Sequence, residues 1–156
     1  MDVYALVKVA HVIGAAVLLG TGAGIAFFML MAHRTRQPAL IAHTARIVVL
    51  ADFVFTTSAV IAQPITGGTL AHLAGLPFNT GWVALSLALY VVTGLCWLPV
   101  VWIQMRIRRL AEAAAQAGAP LPAEYDRLFR VWFVLGFPAF AAVLAIVWLM
   151  VAKPVF

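Results

Sequence analysis

The stretch Val131-Trp132-Phe133-Val134-Leu135-Gly136-Phe137-Pro138-Ala139-Phe140-Ala141-Ala142-Val143-Leu144-Ala145-Ile146-Val147-Trp148-Leu149-Met150-Val151 carries no charged side chain. An α-helix needs about 20 such residues to cross the hydrocarbon core of a bilayer. The stretch therefore reads as a transmembrane helix, and it sets the terms on which the rest of the chain is read. Three more segments have the same character. Tyr4 to Ala32 is apolar apart from Lys8 and His11. The segment from Leu40 is apolar after Arg46, with Asp52 inside it, and is expected to end at Gln63-Pro64. Trp82 to about Met105 is apolar and continues as a polar extension through Arg106, Arg108 and Arg109. The expected helices are about 4–32, 40–64, 82–109 and 126–151, in one domain covering residues 1–156. The fold class is all-α, an antiparallel bundle of four transmembrane helices.

Composition agrees. Of the 156 residues, 65% are hydrophobic and 10% charged, whereas soluble domains average about 45–50% and about 25%. A soluble core of this size cannot hide that much apolar surface, and a bilayer can. The formal net charge of +5 does not point to nucleic acid, because the arginines flank apolar segments and form no soluble basic face.

The connections carry turn chemistry. His33-Arg34-Thr35-Arg36-Gln37-Pro38 divides the first two helices. Gly67-Gly68, Gly75, Pro77, Asn79 and Gly81 break the chain before the third, with Thr69 to Ala74 expected as an interfacial turn. Gly118-Ala119-Pro120 stops the third. Arg34, Arg36, Arg46, Arg106, Arg108, Arg109, Arg127 and Arg130 lie at or near the first and third connections, and the second has neither Lys nor Arg. The positive-inside rule then places the first and third connections in the cytoplasm and both termini outside it. Lys8 and His11 interrupt the first run where a signal peptide would be uninterrupted, so the first helix is expected to be retained.

Ionisable groups within a span are costly and mark candidate sites. Lys8 and Lys153 are close enough to helix ends to snorkel to water. His11 lies about 10 Å along the first helix from Tyr4 and is either a ligand or a plain hydrogen-bonded histidine. His33, about 33 Å from His11 along the helix, stands at the opposite membrane surface. On the second helix Asp52, Thr56, Ala59 and Gln63 follow i, i+4, i+7, i+11 and form a polar stripe that should face protein. The stripe reads either as a proton or ion relay or as a structural seam in which Asp52 pairs with Arg130 or Arg46. Gly20 and Gly24 have the spacing of a close helix contact. Cys96, the only cysteine, excludes an intrachain disulfide and reads as a buried thiol. Motifs of soluble enzymes are absent, so the sequence does not decide whether the chain is an enzyme.

Lys8-Val9-Ala10-His11, His33, Phe129-Arg130, Pro138, Ile146-Val147 and Lys153-Pro154 carry a resemblance. Nearly the whole chain resembles a bacterial family of small predicted integral membrane proteins known as a domain of unknown function. That family is distantly similar to the HemJ-type protoporphyrinogen oxidases and to the copper-resistance protein CopD. The resemblance implies a multi-pass inner-membrane protein with His11 as axial ligand of a b-type haem. The chain departs from the HemJ-type pattern at Leu135-Gly136-Phe137, where an Asn-Glu pair is expected, at the arginine-free run Ile25 to Ala32, and at Cys96-Trp97.

The leading expectation is a haem- or porphyrin-binding membrane protein with a redox role. His72 is the candidate second ligand, and His33 with His43 the weaker pair. The alternatives are a proton- or ion-coupled transport component using the Asp52 stripe, or a non-catalytic membrane subunit. The expected partners are the lipid bilayer, haem or porphyrin, and a second copy of the chain.

Overall fold

A computed structural model describes residues 2–155. Its four helices are α1 (Val3–Thr35), α2 (Pro38–Leu73), α3 (Gly81–Gln116) and α4 (Ala123–Ala152), and the described residues contain no strand. All four are long and apolar enough to cross a membrane. At 1.5 Å per residue even the shortest is about 45 Å long, against a hydrocarbon core of about 30 Å.

Local chemistry sets the ends. Asp2 caps α1 by accepting the Tyr4 N–H at 3.0 Å. Arg36, left-handed at φ 55°, closes α1, and Pro38 opens α2 at a position where its missing N–H costs nothing. Helices α2 and α3 end alike. Gly75 (φ 63°) donates to His72 O while Leu76 donates to Ala71 O, and Gly118 (φ 59°) donates to Ala115 O while Ala119 donates to Ala114 O. This double closure needs a left-handed residue, which glycine supplies without a Cβ penalty.

Helix α2 overruns its expected end at Gln63-Pro64 and continues to Leu73, absorbing Thr69 to Leu73 of the stretch Thr69 to Ala74 that sequence placed in a turn. A proline inside a helix leaves the carbonyl four residues earlier without its N–H donor. Here that carbonyl belongs to Val60, and the Tyr90 hydroxyl of α3 donates to it. A second irregularity is the π-helical turn Asp52–Thr56, which inserts extra backbone into one turn and rotates the residues beyond it. The stripe Asp52, Thr56, Ala59, Gln63 consequently splits: Asp52 faces α3, and Gln63 faces α1.

The core sits at the arginine-rich end. Ile25 and Met29 of α1, Ile41 and Val48 of α2, Ile103 and Ile107 of α3, and Tyr125, Phe129 and Trp132 of α4 form one buried cluster. The first half of α2 packs on both α1 and α3, whereas Thr57–Leu73 has α1 as its main neighbour. The hairpins α1–α2 and α3–α4 therefore join at the arginine-rich end and have little mutual contact at the other. Ion pairs brace the joined end: Arg36–Asp126 between α1 and α4, Arg46–Glu112 between α2 and α3, and Arg106–Glu124 between α3 and α4. Being largely exposed, these pairs are screened by solvent and contribute little to stability. At the far end Lys8 Nζ lies 6.0 Å from the Tyr4 ring and Lys153 Nζ 5.9 Å from the Trp82 ring, as snorkelling lysines with aromatic neighbours do.

The expected helix contact at Gly20 and Gly24 is not made within the chain, because a Cβ at either would meet open space. Close approach occurs instead at Gly14, where a Cβ would collide with Gln63 Nε2, and at Gly67, where it would stand 3.1 Å from His11 Cε1.

Candidate functional site

Helices α1 and α2 approach closely because glycines face side chains across the seam. The Gln63 amide fills the space at Gly14 and donates to His11 O at 2.8 Å. The His11 imidazole lies over Gly67, and its Nδ1 is 2.8 Å from Thr66 Oγ1. Thr66 and Gln63 are three residues apart on one face of α2, so one helical turn holds both the backbone and the ring of His11.

The hydroxyl has one proton, and its other contacts decide where that proton goes. Thr66 Oγ1 lies 2.8 Å from Ala62 O. Ser58, Thr69, Ser86 and Thr93 all donate to the carbonyl four residues back in the same way. With the Thr66 proton on Ala62 O, the oxygen accepts from His11 Nδ1–H. This assigns the tautomer: Nδ1 carries the hydrogen and Nε2 the lone pair. Nε2 has no hydrogen-bond partner among the described residues and is not sealed from its surroundings. The arrangement is the one found behind metal-bound histidines, where a partner on one nitrogen orients the other.

The other histidines are placed differently. His72 is exposed five residues beyond Gly67, about 140° further round α2, so the structure does not bring it to His11. His33 is half-buried. Its ring stacks on Phe129 with centroids 3.7 Å apart, and Nδ1 lies 3.1 Å from Tyr125 Oη. His43 is exposed, and His33 and His43 do not form a pair. The described residues contain no cluster of three or more His, Cys, Asp or Glu side chains able to hold a metal ion. A single imidazole offers one ligand atom, so a metal centre held here would need its other ligands from a group that brings them, as a porphyrin does.

The second polar centre surrounds Asp52, which is 4% exposed. No arginine reaches it, contrary to the expected pairing with Arg130 or Arg46; Arg46 is taken by Glu112. Its partners are neutral. Trp97 Nε1 donates to Oδ1 at 3.3 Å. Gln104, in the amide orientation that satisfies both of its ends, donates to Oδ2 at 3.0 Å and accepts from Trp132 Nε1 at 3.2 Å. Sequence reasoning missed Trp97, Gln104 and Trp132, as well as Thr66. Gln104 was legible as a polar residue on an apolar helix, whereas the tryptophans read as hydrophobic. Cys96, next to Trp97, is a half-buried free thiol.

A family model described as "Predicted integral membrane protein (DUF2269)" matches residues 5–154. No curated protein and no solved structure matches the chain.

Proposed function

Because the chain belongs to this family of predicted integral membrane proteins, we propose that it acts within the bilayer as a haem-binding redox protein, with His11 as the axial ligand of a b-type haem. The observation that carries the reading is the His11–Thr66 contact, which leaves the imidazole lone pair on Nε2, the nitrogen free to ligate. The resemblance of Lys8 to His11 to the HemJ-type first helix supports it. A bound haem supplies one-electron redox chemistry. The part of this chain is to hold the ring by Thr66 and to fix the backbone of His11 by Gln63. His72 lies on another face and is no part of the proposal.

The same reading places the protein in the bacterial inner membrane. The arginine-rich end faces the cytoplasm and both termini lie outside it, following the distribution of arginines. His11 then stands near the outer face. Titration of the purified protein with haemin tests the proposal: saturable uptake that His11→Ala abolishes supports it, and equal uptake by His11→Ala refutes the ligand assignment.

A further inference from the structure

Asp52 is an ionisable group in the interior of the bundle that the haem reading does not use. It lies six residues, about 9 Å, inside Arg46 along α2, at the start of the π-helical turn. Both of its carboxyl oxygens accept hydrogen bonds. The indole nitrogen is only a donor, so Trp132 fixes the direction of the Gln104 amide, which must turn its own N–H towards Oδ2. Trp97 supplies the other donor. That set serves the charged carboxylate without neutralising it.

On the remaining side stands the Thr56 hydroxyl, 8% exposed and near enough to the carboxyl to donate to it, although in this geometry that bond is not made. Its oxygen makes no hydrogen bond of good geometry. The π-turn explains why. A threonine in an α-helix donates to the carbonyl four residues back, which for Thr56 is Asp52 O. Here that carbonyl receives the backbone N–H of Thr57 and, at 3.2 Å, the Thr57 hydroxyl as well. The π-turn moves the acceptor on by one residue and leaves Thr56 Oγ1 unused next to Asp52. An unused buried oxygen beside a carboxyl is the acceptor that a neutral carboxyl O–H requires.

We propose that Asp52 is a reversible proton-binding site, in which the carboxylate held by Trp97 and Gln104 takes one proton from water and directs the new O–H to Thr56 Oγ1. The charge of the site goes from −1 to 0, and nothing else is consumed. Towards the arginine-rich end the charged and titratable side chains of the surrounding elements include His43 and Arg46 on α2, His33 on α1, Arg106, Arg108, Arg109 and Glu112 on α3, and Glu124, Tyr125, Asp126, Arg127 and Arg130 on α4, and the Cys96 thiol stands next to Trp97 on α3. None of them bridges Asp52. Arg46 and Arg108 lie within 4.0 Å of Glu112, Arg106 binds Glu124, and His33 contacts Tyr125. The nearest of these lie towards the arginine-rich end. The proposal is independent of haem binding at His11.

The test is pH-dependent infrared difference spectroscopy of the full chain in lipid nanodiscs, following the C=O stretch of a protonated carboxyl over the range in which the protein stays folded. The expected result is a reversible band that Asp52→Asn removes and Asp126→Asn retains. Thr56→Val, which removes the acceptor of the O–H, should lower the midpoint by about one pH unit. Trp97→Phe, which removes a donor to the carboxylate, should raise it by a similar amount, since one hydrogen bond to one protonation state is worth roughly tenfold. Absence of a titrating band, or its survival in Asp52→Asn, overturns the proposal. So does a rise in the midpoint on Thr56→Val, because the hydroxyl would then be a donor to a permanent carboxylate. Should Asp52→Asn fail to fold, the opposite displacements by Thr56→Val and Trp97→Phe decide, and unmoved midpoints reject the site.

Discussion

His11 Nδ1 lies 2.8 Å from Thr66 Oγ1, whose own proton is engaged by Ala62 O. The contact fixes both the orientation and the tautomer of the one histidine that α1 presents to α2. Losing such an outer partner typically weakens a metal–histidine site by about 10- to 100-fold. Thr66→Val should therefore lower haem affinity by at least about tenfold while leaving thermal stability near that of the wild type. Haemin titration followed by absorbance measures the first, and a melting curve in detergent the second. Unchanged affinity would mean that Thr66 does not set the ligand.

The glycines of α1 should separate into two classes. Gly14→Ala drives a Cβ into Gln63 Nε2 and breaks its hydrogen bond to His11 O, a loss of about 1 kcal/mol that offsets the gain in helix propensity, so this variant should be less stable than Gly20→Ala and Gly24→Ala by about that amount. Gly20→Ala and Gly24→Ala meet nothing within 4 Å and should be neutral or slightly stabilising, since alanine favours a helix over glycine by up to about 1 kcal/mol. Melting temperatures of the three variants in one detergent check this. A destabilised Gly24→Ala would show that a surface left open within the chain is in fact covered.

Acid should weaken the link between α1 and α4. The Arg36 guanidinium donates to both oxygens of Asp126, at 2.5 and 3.0 Å. These hydrogen bonds hold the carboxyl below the usual carboxylate range, at a position that precedes the apolar run 131–151. A depressed folded pKa gives stabilisation that is fully present above the unfolded value of about 3.9 and is lost as pH falls through the folded value. With side chains 50% and 37% exposed, the contribution is about 0.2–1 kcal/mol. Asp126→Asn should be less stable than the wild type by that amount at neutral pH, and the difference should close in acid. A difference that persists in acid would assign the effect to something other than the ion pair.

The orientation has a direct test. A reporter active only outside the cytoplasm should be active when fused after Phe156 and silent when inserted near Gly118. The reverse pattern would contradict the reading of the arginines.

The four spans were legible because apolar run length is a local property. The departures came where a residue's cost is met from elsewhere in the fold. Pro64 was read as the end of a helix, yet Tyr90, 26 residues on, supplies the donor that lets the helix continue. Asp52 was expected to find an arginine, since charge pairs with charge. Its actual partners are two indoles and an amide acting together, and a tryptophan in an apolar run shows in sequence only its hydrophobic side. The Asp52 to Gln63 stripe assumed 3.6 residues per turn throughout, and the π-turn breaks that assumption at its first member. His11 was identified, but Thr66 was not, because nothing in sequence tells a threonine that caps an imidazole from one that merely bonds back to its own helix. Gly67 was read as a breaker, whereas its role is to let the His11 ring approach.

The central claim is that His11 ligates haem, and an absorption spectrum tests it most directly. The full chain, expressed with adequate haem supply and purified in mild detergent, should show a Soret band that moves on reduction. The band should be lost or displaced in His11→Ala and kept in His33→Ala, His43→Ala and His72→Ala. A colourless wild type that also fails to take up added haemin would contradict the account.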